Sequence, residues 1–132
     1  RAIENHLDRS VRESGLPIDW QMVDESDGKL DGLEETVAIA LFRIVQEAIN
    51  NAVRHGQPAN IVVVLQSAPT GLSVAVTDDG VGIGNPQEQA GHGIDNMRTR
   101  ARLIGARFEI GSSDGQGTRV RLFLGEDGIR TA

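Results

Sequence analysis

The sequence QEAINNAVRH, residues 46–55, is the most informative part of the chain, because it puts polar side chains on a helix whose other residues belong to a core. Apolar residues recur in this region at the three- and four-residue spacing of a helix that packs on a core. They are Val37, Leu41, Ile44, Val45, Ala48 and Ala52. We expect this helix to be capped near Asp31, with Glu34 three residues later, and to end at Gly56 and Pro58.

The polar side chains form a stripe. Glu47, Asn51 and His55 are spaced four residues apart and share one helix face, with Arg54 close by. A solvated helix face, whose C-terminal cations are favoured by the helix dipole, would explain such a stripe. Apolar residues flank the stripe closely, however, so it should lie near the rim of the core, and glycine-rich loops follow it. The stripe alone leaves a solvated face and a binding site open.

The composition limits the partners. The chain of 132 residues is 39% hydrophobic and 24% charged, which is typical of one soluble globular domain. Its net charge of −6 offers no basic excess, so we expect no nucleic-acid partner and no direct membrane contact. The absence of cysteine excludes disulfides and thiolate metal sites and fits a reducing compartment, and no apolar run is long enough to span a bilayer. We therefore expect a cytoplasmic domain.

The remaining patterns predict one mixed, largely antiparallel sheet with helices on one side, a two-layer α/β sandwich. Residues 17–23 read as a strand, and residues 60–66 with 71–78, and 107–113 with 117–124, read as two hairpins. A second helix has its apolar face at Ile94, Met97, Ala101 and Ile104 and stops at Gly105. Residues 81–93 are rich in Gly, Pro and Gln and are predicted to be mobile.

The chain begins with apolar residues at helical spacing, Ile3, Leu7 and Val11, with no capping residue before them. We expect residues 1–14 to be the end of an upstream helix or linker, 15–127 to form the domain, and 128–132 to be a C-terminal tail.

A second motif, TDDGVGIG at residues 77–84, stands at the end of a predicted strand. Asp78 could present its carboxylate into a cleft, while glycines let a ligand approach the backbone. A tight turn would explain a lone D-D-G. The second glycine, two residues on, argues against a simple turn, because a two-residue hairpin needs only one such glycine.

Two further glycine motifs follow. GHGIDNM at residues 91–97 puts two glycines at a helix start, where free N–H groups and the helix dipole favour an anion. By itself it could be a flexible helix start, and it does not match the dinucleotide fingerprint, because Asn96 stands at the third glycine's place. DGQGTRV at residues 114–120 could by itself be a plain glycine hairpin.

Together and in this order, the four motifs resemble the nucleotide-binding boxes of the superfamily of DNA gyrase, heat-shock ATPase chaperones, histidine kinases and mismatch-repair ATPases. The resemblance covers residues 33–124. Residues 42–56 and 91–110 look most like the ATP-binding catalytic domain of two-component sensor histidine kinases, in the subfamily that pairs with helix-turn-helix response regulators. The resemblance implies a Bergerat-type fold, a left-handed βαβ sandwich that holds ATP between its helical layer and a mobile lid.

The resemblance also implies roles for the phosphate-side residues. Asn51 would ligate Mg²⁺, which bridges the phosphates, and an amide oxygen suits this hard cation. Glu47 would be the catalytic carboxylate that polarises the attacking nucleophile. His55 and Arg54 would lie near the phosphates.

On the adenine side, Asp78 would accept a hydrogen bond from the exocyclic amine, with a water that Thr118 helps to hold. Gly80 and Gly82 would let the base lie against the backbone. Gly91 and Gly93 would form the lid's hinge and donate N–H groups to phosphate, and His92 between them counts among the ATP-binding residues.

The function that this implies is transfer of the γ-phosphoryl group of ATP to a histidine on a dimerisation domain. That histidine is expected outside this chain, because His6 is followed by Leu7 and not by an acidic residue. A response regulator would be the next partner, and this domain would be monomeric alone and homodimeric in the intact protein. The lid, residues 84–92, is short and lacks the phenylalanine-bearing box of many histidine kinases.

Three alternatives remain. An anti-sigma-factor-type serine kinase shares the Glu and Asn helix and the Asp-Gly box, but the helix end at residues 1–14 argues against it. A degenerate nucleotide-binding module would serve only as an interaction scaffold, yet Glu47, Asn51 and Asp78 are all present. A Ca²⁺ loop at Asp78 and Asp79 lacks the alternate-residue ligand spacing.

Overall fold

Five strands and two helices follow one another in the part of the chain that the computed structural model describes, residues 9, 12, 18–25, 34–53, 60–80, 93–113 and 116–125. In chain order they are β1 (Ile18–Asp24), α1 (Glu35–Asn51), β2 (Ile61–Ala68), β3 (Gly71–Asp78), α2 (Gly93–Leu103), β4 (Arg107–Ser113) and β5 (Gln116–Gly125). Arg9 and Arg12 are helical. The rest of the predicted N-terminal helix, and the predicted mobility of residues 81–92, lie outside the described residues.

The strands form one sheet in the order β1-β2-β3-β5-β4. Strand β1 runs parallel to β2, and every other pair is antiparallel. The predicted mixed sheet and both predicted hairpins are therefore confirmed. The consequence for the site is that β5, from the end of the chain, lies directly beside β3, so Thr118 is the cross-strand neighbour of Asp78.

The core lies between one face of the sheet and the helices. Alternate residues of the central strands point into it, as expected for a sheet covered on one side. On β2, β3 and β5 the inward apolar residues are Ile61, Val63, Leu65, Leu72, Val74, Val76, Val120, Leu122 and Leu124. Arg119 and Arg121 alternate with them and are exposed, so the opposite face of β5 is in contact with solvent.

Helix α1 owes its position to its buried face. Eight of its 17 residues are buried, among them Leu41 and Ile44, which are almost completely so. Burial of one such side chain is worth about 2 kcal/mol, far more than the few tenths by which helix propensities of ordinary residues differ. The apolar stripe therefore fixes which side of α1, and hence which polar residues, lies at the rim.

The start of α1 differs from the expectation. Glu34, and not Asp31, is the N-cap: its backbone is extended, and its side-chain oxygen accepts a hydrogen bond from the Thr36 N–H at 3.2 Å. A glutamate is long enough to reach the second helical N–H and so satisfies one of the donors that every helix start leaves open. The predicted end at Gly56 and Pro58 lies outside the described residues, which remain helical to position 53.

Helix α2 ends at Leu103, and the predicted Gly105 follows in the turn that stops it. The Ala106 N–H donates to the Ala101 carbonyl at 2.9 Å, and the Gly105 N–H donates to the Arg102 carbonyl at 3.1 Å. This is a Schellman motif, which needs the positive φ of 72° that Gly105 adopts. The Arg98 guanidinium lies 5.5 Å from the Phe108 ring centroid, so a cation–π contact also ties α2 to β4.

No helix in the described ranges is long and apolar enough to cross a membrane.

Candidate functional site

The described contacts gather the predicted residues into two clusters. Glu47 and Asn51 of α1 meet Gly93 at the first residue of α2. Asp78 and Gly80, at the end of β3, meet Gly117 and Thr118 at the start of β5. Within each cluster, residues distant in the sequence are thus brought together.

The first cluster lies where α2 begins. A side chain at Gly93 would collide with the Glu47 carboxylate, because its Cβ would meet Oε1 and would lie 3.0 Å from Asn51 Oδ1. A glycine lets the backbone approach the stripe without displacing the Glu47 side chain. The open N–H groups and the positive end of the α2 dipole therefore lie beside the two polar side chains, an arrangement that favours a bound anion.

The polar stripe of α1 lies at the rim of the core. Glu47 and Asn51 are half-buried, whereas Asn50 on the same helix is exposed. Ala48 and Ala52, which flank the stripe, are buried. A solvated helix face would leave Glu47 and Asn51 exposed, so their burial favours the binding-site interpretation.

The second cluster centres on the Asp78 carboxylate. Its residue is only 4% exposed, and its neighbour Thr118 is 7% exposed. The Gly80 N–H donates to Asp78 Oδ1 at 2.9 Å, which closes a turn of the kind that aspartate side chains favour. No donor from the described residues contacts Oδ2. A carboxylate oxygen in a largely buried residue favours a hydrogen-bond donor, so Oδ2 is the natural contact point for a ligand.

Gly117 lies in close contact with the backbone of Asp78. It has a φ of 70°, and a side chain on it would collide with the Asp78 carbonyl oxygen and come within 3.2 Å of Asp79 Cα. The motif DGQGTRV is therefore more than a glycine hairpin, because its last glycine lets β5 press against the end of β3. This contact depends on the order of strands in the sheet and was not predictable from the motif alone.

The two adjacent aspartates have different surroundings. Asp79 is exposed, and its carboxylate accepts hydrogen bonds from the Asn60 N–H at 2.8 Å and from Asn60 Nδ2 at 2.9 Å. The two carboxylates therefore serve different partners, which disfavours a shared Ca²⁺ site. Asn60 was not predicted from the sequence, although the predicted hairpin contained the signal, since the residue before β2 must lie opposite the residue after β3.

The other predicted site residues, Arg54, His55, Gly82, Gly91 and His92, lie outside the described residues. Within the described ranges, no group of three or more His, Asp or Glu side chains is arranged to hold a metal ion.

Comparisons with known proteins agree with the fold and with the motifs. Residues 36–128 match the family model of histidine kinase-, DNA gyrase B- and HSP90-like ATPases. The sensor histidine kinase LiaS of Bacillus subtilis is 33% identical over 117 residues, which are 88% of this chain and 31% of LiaS. The nitrate/nitrite sensor protein NarQ of Escherichia coli is 36% identical over 92 residues, 68% of this chain and 16% of NarQ. The chain thus spans less than a third of either relative.

Among solved structures, the ATP binding domain of PrrB from Mycobacterium tuberculosis superimposes with a TM-score of 0.67 at 24% identity. The match covers 92% of this chain and 91% of that domain, so the likeness extends over the whole fold. With the family match over most of its length, the chain belongs to the histidine kinase-, DNA gyrase B- and HSP90-like ATPases.

Proposed function

We propose that this chain is the catalytic domain of a sensor histidine kinase: it binds Mg²⁺-ATP and donates the γ-phosphoryl group to a histidine of a dimerisation domain. The observation that carries the proposal is the buried Asp78 carboxylate, which has one oxygen held by Gly80 and stands beside Thr118. A polar group kept buried at the edge of an apolar core favours recognition of a specific ligand over packing.

Adenine recognition falls to the second cluster. Asp78 Oδ2 accepts a hydrogen bond from the exocyclic amine of adenine, and Thr118 holds a water that bridges to the base. Guanine carries a carbonyl oxygen at the equivalent position, so it would set two acceptors against each other. The site should therefore select ATP over GTP. Gly80 and Gly82 lack side chains and let the base lie against the backbone.

Phosphate binding falls to the first cluster. The N-terminus of α2 supplies open N–H groups at Gly93, and Gly91, His92, Arg54 and His55 supply further donors or positive charge. Asn51 Oδ1 would hold Mg²⁺, and one amide ligand would be sufficient because this hard cation usually keeps several waters. When bound, Mg²⁺ neutralises phosphate charge.

Glu47 acts on the nucleophile. In the transfer, the bond between the γ-phosphorus and the bridging oxygen breaks, a phosphorus–nitrogen bond to the acceptor imidazole forms, and ADP leaves with the electron pair. Glu47 polarises the attacking imidazole through its N–H. Most of the rate comes from positioning and charge neutralisation, because this transition state asks little covalent chemistry of the protein.

The partners follow from the same proposal. The dimerisation domain and its acceptor histidine lie outside this chain, and the phosphoryl group passes next to a response regulator in two-component signalling. We propose that residues 15–127 form the catalytic domain, that it is monomeric alone and cytoplasmic, and that the intact protein is a homodimer.

The direct test is autophosphorylation of the full-length protein with γ-labelled ATP. Phosphohistidine is labile in acid and stable in base, so the label should be lost in acid and kept in base. Label that survives acid would contradict histidine transfer and would favour the serine-kinase alternative.

Two variants of α1 test the assigned roles separately. Glu47→Ala should leave ATP affinity within about twofold and reduce transfer at least about a hundredfold; equal losses of both would indicate a structural role. Asn51→Asp should change how ATP affinity depends on Mg²⁺, because it replaces the amide ligand with a charged one. A wild-type response to Mg²⁺ would contradict the metal assignment.

A further inference from the structure

Asn60 and Asp79 are joined by hydrogen bonds in both directions where the ladder between β2 and β3 ends. The main-chain N–H and the Nδ2 of Asn60 donate to the two oxygens of the Asp79 carboxylate, at 2.8 and 2.9 Å. In return, the Asp79 N–H donates to the Asn60 carbonyl at 3.3 Å. Three hydrogen bonds thus join these two residues.

The pair extends the sheet by one position with a side chain in place of a main-chain carbonyl. The last pair within both strands is Ile61 with Asp78. At the next position the Asn60 N–H finds its acceptor on the Asp79 side chain, so the main chain after Asp79 can leave the strand direction. It turns at Gly80, whose N–H then reaches back to Asp78 Oδ1.

Asp78 is consequently held from both neighbouring strands. On the β5 side, Gly117 contacts its carbonyl group. On the β2 side, the Asn60–Asp79 pair fixes the residue that follows it. Loss of either contact would let the end of β3 move, and with it the direction of the Asp78 carboxylate.

We propose that Asp79 and Asn60 are positioning residues for adenine recognition. The hydrogen bonds between them hold the turn in the conformation in which the Gly80 N–H donates to Asp78 Oδ1 and Oδ2 points toward the base. The inference rests on the proposed function, in which Asp78 reads adenine. Asp79 and Asn60 are both exposed and contribute nothing to the core, so their effect should be on binding and not on the stability of the fold.

The first test is Asp79→Ala in this chain, with ATP and GTP affinities measured by calorimetry. ATP affinity should fall about tenfold, the scale of a lost hydrogen bond to a charged group, while the weak GTP affinity stays unchanged. The Gly80 amide proton resonance should move upfield as its bond to Asp78 loosens. The matched control is Asp19→Ala, which removes another exposed carboxylate that accepts one side-chain amide, from Gln21 at 2.9 Å.

The second test exchanges the partners. Asn60→Asp places two carboxylates against each other and should lower ATP affinity as Asp79→Ala does. Adding Asp79→Asn restores a donor opposite an acceptor, while the main-chain N–H of position 60 keeps its bond. The double variant should therefore recover the ATP-to-GTP ratio and the wild-type Gly80 resonance.

The outcomes separate the pair from the site that it serves. If Asp78→Asn abolishes ATP binding but Asp79→Ala binds ATP as the wild type does and leaves the Gly80 resonance unmoved, the positioning role is overturned alone. Equal losses of ATP and GTP affinity in Asp79→Ala would also overturn it, since they would indicate general loosening. If Asp78→Asn keeps its ATP affinity, the adenine assignment fails and the pair's role fails with it.

Discussion

The two ends of β3 can be compared, because at each end a glycine lies so close to the adjacent strand that an added Cβ would collide with its backbone. At the start of the strand, a Cβ on Gly71 would meet the Leu124 carbonyl. At its end, a Cβ on Gly117 would meet the Asp78 carbonyl. The close approach of a glycine to a backbone carbonyl is the same at both ends, but the surrounding side chains differ.

Around Gly71, which we call the closed end of β3, the inward side chains are apolar, and Leu72 and Leu124 are each about 1% exposed. Around Gly117, which we call the open end of β3, the inward residues are Asp78 and Thr118, both buried and polar. The first end therefore contributes stability to the fold, whereas the second keeps hydrogen-bonding groups inside at a cost that a ligand can offset. The end of the strand that departs from apolar burial is thus the one proposed to bind the ligand.

The largest effect is expected from Leu72→Ala at the closed end. Removal of a fully buried leucine side chain should lower the free energy of unfolding by about 3 kcal/mol. Urea denaturation measures this loss. Below the unfolding transition, the folded fraction should bind ATP with wild-type affinity, and a lowered affinity there would mean that the two ends are not independent.

At the open end, Asp78→Asn should reduce ATP affinity at least about a hundredfold, or about 2.7 kcal/mol. The amide can place a donor where adenine presents its own donor, while the shape of the side chain is kept. Calorimetric titration measures the affinity, and urea denaturation should show little change in stability. Unchanged affinity would mean that the base lies elsewhere.

Gly93→Ala tests the first cluster. Its methyl group would collide with the Glu47 carboxylate, so α2 or Glu47 must shift, and Mg²⁺-ATP affinity should fall about tenfold. Gly105→Ala is the matched control, because Gly105 lies at the other end of α2 and an added Cβ there would have no neighbouring atom within 4 Å. It should cost about 1 kcal/mol of stability through its positive φ and leave ATP affinity unchanged. Similar binding losses in both variants would point to a general effect on α2.

The smallest effect is expected at Ser67, which is fully buried near the closed end and whose Oγ has no hydrogen-bond partner among the described residues. Ser67→Ala removes an unsatisfied hydroxyl and should stabilise the fold by up to about 1 kcal/mol. Thermal unfolding measures the change. A clear loss of stability would show that the hydroxyl is satisfied in solution, and the contrast between the two ends would weaken.

Much of the fold could be predicted from local patterns, because hairpins and helix faces depend on residues near in sequence. Alternating apolar residues were sufficient to predict the hairpin of β2 and β3, and the spacing of Ile94, Met97 and Ala101 was sufficient to predict α2. The start of α1 was placed wrongly, since the reach of the Glu34 side chain decides the cap. The parallel pairing of β1 with β2 was not predicted, because it joins segments with a helix between them.

For the site, motif order was enough to nominate Glu47, Asn51 and Asp78 as candidates, but not the residues that contact Asp78. The contact of Gly117 with Asp78 exists only because β5 inserts beside β3, a long-range feature of the sheet. Asn60 carries no motif, and its role emerges only when the hairpin register sets it opposite Asp79. Supporting residues are therefore harder to predict than the residues they support.

Nucleotide binding by this chain is best tested by calorimetric titration with ATP and GTP, with and without Mg²⁺. We expect binding that favours ATP over GTP and that changes with Mg²⁺, as follows from the proposed roles of Asp78 at the base and of Asn51 at the ion. Equal affinity for the two nucleotides would contradict the assignment of Asp78, an affinity that ignores Mg²⁺ would contradict that of Asn51, and no binding of either nucleotide would contradict both.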